Sequence, residues 1–188
     1  MFGHPGEGFF SHSEVAFHDV RVPQTNLLGE LGAGFRIAQE RLGPGRIHHC
    51  MRWLGIAERA LDMMLDRSSS RALRDGMLSD KQIVRAWIAE SRAEIDAATW
   101  AVLAAADKIE REGFRAARVD ISSIKFLVAG SMLRGVDRAV QVQGARGLTD
   151  DTVLAFFYAH ERGARIYDGA DEVHKMVVAR ALLKGRGQ

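Results

Sequence analysis

After Pro44 the chain contains no further proline, and this constrains its fold more than any other feature. A proline inside a helix removes a hydrogen bond and clashes with the preceding turn, so its absence leaves the rest of the chain open to long helices. The apolar residues there keep helical spacing. Val84, Ile88, Ile95, Ala98, Val102, Ala105 and Ile109 line one face, and Ile121, Ile124, Val128, Met132, Val136 and Val140 line another. The pattern predicts a short helix over 34–42 stopped by Gly43-Pro44-Gly45, then a long one over 46–68. A further helix starts after Ser79, where Ser79-Asp80-Lys81-Gln82 fits a capping box. Helices over 114–142, 152–165 and 170–184 follow, with Gly144-Ala145-Arg146-Gly147 breaking the first of them. Four long helices with short connections predict an all-α, up-down four-helix bundle.

The N-terminal part reads differently. Val15 and Phe17, then Val20 and Val22, alternate with polar neighbours up to Pro23, the period of a strand or a pair of short strands. One such ribbon cannot stand as a sheet by itself. The expected organisation is therefore a short β remnant and linker over 1–33 and a helical domain over 34–188. Apolar residues make up 47% of the chain, enough for a full core. The net charge of +2 carries no basic run and argues against a nucleic-acid partner. Cys50 is the single cysteine, which excludes an internal disulfide and a thiolate-rich metal site. No apolar run approaches the ~20 residues of a membrane span, and residues 1–10 lack the charged and apolar regions of a signal peptide. The expected location is the cytoplasm, of a bacterium.

Candidate chemistry concentrates in Tyr167-Asp168-Gly169-Ala170-Asp171-Glu172-Val173-His174. Asp168 stands at a turn beside the free N–H groups that open the last helix, where negative charge is favoured. From these residues alone it is either a helix cap or a base poised to take a proton from carbon. His48-His49-Cys50 does not form a metal site, because adjacent residues on a helix point about 100° apart. Asp171-x-x-His174 has the spacing of a di-iron bundle, but no second acid-x-x-His pair stands on another long helix. Arg46 opens a helix, where a cation gains nothing from the dipole. Read alone, it is a surface Arg paired with a nearby acid.

Tyr167-Asp168-Gly169 with the apolar run that follows, and Arg41-Leu42-Gly43-Pro44-Gly45-Arg46-Ile47-His48-His49-Cys50-Met51-Arg52 before Gly55-Ile56-Ala57, resemble the acyl-CoA dehydrogenases, closest to family members ten and eleven. Val20-Arg21-Val22-Pro23 and Leu28-Gly29 resemble the exit from that family's middle β-domain, so the chain is expected to lack the preceding domains. The resemblance implies FAD as cofactor, an acyl-CoA substrate, an electron-transfer flavoprotein as acceptor, and a homo-oligomer, dimer or tetramer. Asp168 becomes the base that removes the α-proton while the β-hydride leaves to the flavin N5, giving the trans-2-enoyl-CoA. Most members carry Glu at this position. Some branches place the acid where this chain has Gly45, so Asp168 has no competitor. Its own backbone N–H is implied as an oxyanion donor, and burial beside flavin and acyl chain is expected to raise its pKa.

By the same resemblance, Arg46, Tyr167 and Gly169 belong to the substrate site. Arg71, Leu78, Gln82, Gln141, Gly144, Ala145, Ala170 and Glu172 belong to the cofactor site, with Arg71 and the 141–147 loop serving the flavin of a neighbouring subunit. Leu73, Arg74 and Asp75 depart from the usual run after that Arg. Ala145 replaces a Gly, which is tolerable where φ is negative. Ala170 replaces a Thr and Glu172 a Gln. The competing expectation is a non-catalytic assembly module derived from such an enzyme.

Overall fold

The structure is a computed structural model that describes residues 14–184 and 186. The chain divides into two compact units, Met1–Arg41 and Leu42–Gln188. In the first unit, the described residues form a 3₁₀ turn at Gln24–Asn26 and the opening turns of a helix. None of residues 14–33 pairs as a strand. A ladder needs a partner, which no described segment supplies here, and Asp19 bends the ribbon at φ 49°. Val15, Phe17, Val20 and Val22 accordingly stay exposed.

The second unit is helical apart from one miniature hairpin, and an all-α bundle is the fold. Its elements are α1 (Gly34–Ser70, beginning in the first unit), the two-residue strands β1 (Ala72–Leu73) and β2 (Gly76–Met77), α2 (Gln82–Glu112), α3 (Arg118–Gln143), α4 (Leu154–Glu161) and α5 (Asp171–Lys184). Three helices are long, at 37, 31 and 26 residues, and the two shorter ones expected over 152–165 and 170–184 are α4 and α5.

α2 and α3 form an antiparallel hairpin. Arg138 pairs with Glu90 at 2.7 Å, Arg134 with Glu94 at 3.0 Å, and Lys108 with Asp120 at 2.7 Å, so the partners step in opposite directions along the two helices. Such largely exposed pairs contribute about 0–1 kcal/mol each. The core decides the packing. α3 is the central element: Ile121, Ile124, Val128, Met132 and Val136 are buried along it, and it packs against α2, α4 and α5. Trp53, Met64 and Leu154 close the same core.

Three boundaries differ from the sequence reading. Pro44 does not stop a helix but lies inside α1. An internal proline costs about 3 kcal/mol locally. Here the flanking glycines let the helix pack closely: Gly45 is buried, and a Cβ on Gly43 would stand 3.2 Å from the Phe114 ring. Burial of Ile47, Cys50 and Trp53 beyond it outweighs local propensity. α2 begins at Gln82 after a 3₁₀ turn at Leu78–Asp80, and the expected capping box is not made. The Asp80 carboxylate instead accepts the Met77 N–H at 2.8 Å. Finally, the α1–α2 connection is a miniature hairpin, with Leu73 opposite Gly76 around Arg74-Asp75.

Candidate active site

The turn between the 3₁₀ segment Arg162–Arg165 and α5 is held from three helices. Asp168 adopts φ 55° and Gly169 φ 103°, so two consecutive left-handed residues reverse the chain. Asp is one of the few side chains that visits this region readily. At Gly169 no side chain fits, because a Cβ would stand 2.8 Å from His174 Nε2. From α1, Arg46 Nε donates to the Asp168 carbonyl at 3.0 Å. From α5, His174 Nε2 lies 3.2 Å from the same oxygen. A carbonyl can only accept, so Nε2 carries the proton. From α3, the fully buried Lys125 donates to the Gly169 carbonyl at 2.6 Å and lies 3.9 Å from Asp171. Arg165 Nε donates to the other oxygen of Asp171 at 2.6 Å.

The electrostatics follow from burial. Loss of water pushes the Lys125 ammonium below its ordinary range, against the pull of the Asp171 and Asp168 carboxylates. Burial likewise lowers the His174 imidazole, outweighing the Asp168 carbonyl that favours its charged form. The backbone of the turn is thus fixed by buried donors, a costly arrangement away from water unless each donor finds its acceptor.

The Asp168 side chain has a separate partner. Its Oδ2 lies 3.0 Å from His49 Nε2 on α1. No backbone N–H of α5 donates to this carboxylate among the described residues; Val173 and His174 N–H both go to the Ala170 carbonyl. The geometry does not support the capping reading. The Asp168 N–H makes no backbone hydrogen bond among the described residues and remains available as a donor.

A second network lies beside this pair. Glu161 is 1% exposed and accepts both terminal nitrogens of Arg52, at 2.5 and 3.0 Å, and the Trp53 indole N–H at 3.1 Å. His160 Nδ1 is 3.0 Å from it. Burial alone would raise the Glu161 carboxyl, but Arg52 and His160 hold it below the usual range. The Tyr167 hydroxyl accepts from Arg52 at 2.8 Å and from Trp53 at 3.1 Å, and burial beside Glu161 pushes its own pKa up. His49 stacks on Trp53 and meets Tyr167 at a tilt of 55°, with centroids 5.7 and 5.3 Å apart.

The residues expected in the site therefore fall into two groups. Arg46, Tyr167, Asp168, Gly169 and Ala170 come together at one end of the bundle, with Glu172 exposed on the first turn of α5. Arg71, Leu78, Gln82, Gln141, Gly144 and Ala145 lie at the other end, where α1 and α3 finish and α2 starts. Arg71, Gln82, Gln141, Gly144 and Ala145 are exposed there, whereas Leu78 packs against the core. At a rise of 1.5 Å per residue, the helices separate the two groups by roughly 25–35 Å. Gly144 ends α3 at φ 67°, while Ala145 has no positive φ, so its methyl is accommodated. Gly147 is required for packing: a Cβ there would stand 2.6 Å from the Val140 carbonyl oxygen.

Sequence reasoning missed His49, Lys125, Arg52, Trp53 and Glu161. Arg46, His49 and Trp53 are three and four residues apart, the spacing of one helix face, and that signal was available. His48 is exposed and Cys50 buried, so the three neighbours do point apart. An open cavity of about 510 Å³, lined by Phe126, Leu133, Arg134, Arg162, Arg165 and Lys175 among others, shares Asp171 with the turn but contains neither Asp168 nor Arg46.

The bundle thus holds an acid on a left-handed turn at one end and an exposed arginine and a glycine loop at the other. The family described as Acyl-CoA dehydrogenase, C-terminal domain matches residues 32–183, and the chain belongs to it. It is 50% identical over 172 residues to Probable acyl-CoA dehydrogenase FadE2 of Mycobacterium tuberculosis, covering 92% of this chain and 42% of that protein. It is 46% identical to mouse Acyl-CoA dehydrogenase family member 10, over 94% of this chain and 17% of that protein. The chain thus spans well under half the length of either relative. Among solved structures, butyryl-CoA dehydrogenase from Megasphaera elsdenii superposes with TM-score 0.80 at 35% identity, over 89% of this chain and 43% of that one.

Proposed function

We propose that this chain carries the catalytic base of an FAD-dependent acyl-CoA dehydrogenase that oxidises an acyl-CoA thioester to its trans-2-enoyl form. The observation that carries the reading is the fixed presentation of Asp168: its backbone is bonded by Arg46 and His174, and its carboxylate is held by His49 rather than spent on a helix cap.

The chain's own residues have distinct parts in this reading. Asp168 takes the α-proton of the thioester. That carbon acid is very weak, so charge growing on the thioester oxygen needs donors, and the unengaged N–H of Asp168 is one. Arg46, Tyr167 and Gly169 shape the surface against which the acyl group lies. Lys125 and His174 keep the turn from yielding.

The residues present fit FAD. Arg71 offers a fork for phosphate at an exposed helix end, and the positive φ of Gly144 opens the loop beside it. Arg71, Leu78, Gln82, Gln141, Gly144 and Ala145 would hold the nucleotide part, and Ala170 and Glu172 the part nearest the base. When bound, FAD supplies the two-electron acceptor. The separation of the two groups supports the view that each flavin is shared between neighbouring copies of the chain, and so a homo-oligomer. An electron-transfer flavoprotein fits as the onward acceptor.

The test is Asp168→Asn in the complete flavin-loaded enzyme, followed by anaerobic stopped-flow bleaching with acyl-CoA. The expected result is intact FAD binding and a limiting reduction rate about 10²–10⁴-fold lower. An undiminished rate refutes Asp168 as the base.

A further inference from the structure

We infer that His49 is a positioning residue for Asp168, clamping Oδ2 through its Nε2–H so that the carboxylate is presented to substrate in one orientation. The inference rests on the reading of Asp168 as the base and assigns the His49 contact, which that reading already uses, its part in the reaction.

The argument begins with reach. Asp is one methylene shorter than Glu, about 1.5 Å less, so it cannot rely on a long flexible arm to find the proton. A short carboxylate must be placed correctly by its surroundings. Arg46, His174 and Lys125 all bond to the backbone of the turn and leave the Asp168 side-chain torsions unconstrained. The 3.0 Å contact from His49 is what fixes them.

His49 is in turn held in place. It rises from α1 one turn after Arg46 and packs against both Trp53 and Tyr167, nearly parallel to the indole at 22° and tilted 55° to the phenol, and those two rings touch each other with centroids 6.0 Å apart. Both rings are tied through their polar atoms to the buried Glu161 and its partner Arg52. The indole N–H and the phenol are therefore not free to rotate away, and the imidazole plane is set. The chain of support runs from Glu161 to Trp53 and Tyr167, then to His49, then to Asp168. Polar–aromatic networks of this kind hold a catalytic group within the small tolerance that proton transfer needs.

The alternative role for His49 is to take the proton itself. The two roles separate by substitution. His49→Gln keeps an N–H donor at the Nε2 position but cannot accept a proton, whereas His49→Leu keeps bulk and loses the donor. In the complete flavin-loaded enzyme, His49→Leu is expected to lower the limiting flavin reduction rate by about 10–100-fold with acyl-CoA affinity unchanged. His49→Gln is expected to restore the rate to within about threefold. In an Asp168→Asn background, His49→Leu should add no further loss. A wild-type rate in His49→Leu, a Gln variant as slow as the Leu variant, or additive losses in the double variant would each overturn the proposal. If Asp168→Asn alone reduces flavin at the wild-type rate, the base assignment fails instead, and that result is read separately. A readout independent of flavin uses the 188-residue chain itself. Long-range ¹H–¹⁵N NMR should find the His49 proton on Nε2 in the neutral ring, and a dominant Nδ1–H tautomer would exclude the clamp.

Discussion

At the scale of single residues, the left-handed turn suits its acid. Asp tolerates φ 55° better than most non-glycine residues, so the residue type and the backbone of the turn agree. Gly169 beside it has a double constraint, a φ of 103° and His174 Nε2 within 2.8 Å of any added Cβ. Gly169→Ala is therefore expected to destabilise the chain by about 1–3 kcal/mol, read as a lower thermal midpoint by circular dichroism. Glu161 gives a pH prediction. Its folded pKa is depressed, so the stability it contributes is present above the unfolded value and is lost as pH falls through the folded one. His174 is also depressed and acts in the same direction from its ordinary value downward. Stability should therefore decline on acidification, first as His174 charges and then below about pH 4.5 as Glu161 protonates. In Glu161→Gln the second decline should be smaller, while the neutral-pH stability changes modestly because Arg52 is exposed and keeps its bond to Tyr167. Urea titrations at stepped pH read both.

At the scale of elements, the helices were legible because they depend on spacing alone. Most of the apolar stripes of α2 and α3 is buried, Val84, Ile95, Ala98, Val102 and Ala105 in one and Ile121, Ile124, Val128, Met132 and Val136 in the other, while Ile88, Ile109 and Val140 are only partly covered. What was not legible depends on contacts between distant residues. Pro44 reads as a stop until Phe114 and the buried face of α1 are seen to hold the helix through it. The strand pattern of residues 14–23 states only what a partner would find, and no described segment is that partner. The turn residue Asp168 was visible, but its clamp was not, because His49 and Asp168 lie far apart in sequence. The glycine loop after α3 had a visible pattern, although the role of each glycine differed. Gly144 serves the backbone angle and Gly147 the close approach to Val140. Gly147→Ala is expected to shift that loop against α3, because the clash is with backbone that cannot rotate away. The loss should be about 1–3 kcal/mol in denaturant titrations, and Gly144→Ala should be strained through φ alone.

At the scale of the whole molecule, the residues of the proposed site fall in two groups at opposite ends of the bundle. Among the described residues no helix is long and apolar enough to cross a membrane. Trp100 and Leu103 on α2 and Leu182 and Leu183 on α5 stand exposed, 72% and 52% on the one helix and 68% and 52% on the other. The proposed sharing of a flavin between copies requires the chain to associate. Sedimentation velocity at tens of micromolar should show a species larger than the 20.8 kDa chain, and a pure monomer would remove the basis for a shared flavin. The distance between Asp168 and Arg71 also has a genetic meaning. If every working centre draws its acid from one copy and its phosphate-binding arginine from the next, two differently crippled alleles can rescue each other. A cell that makes both an Asp168→Asn chain and an Arg71→Ala chain would assemble mixed dimers in which one centre inherits both intact residues and the other inherits both defects. Random pairing would leave about a quarter of all centres working, from two gene products that are each inert alone.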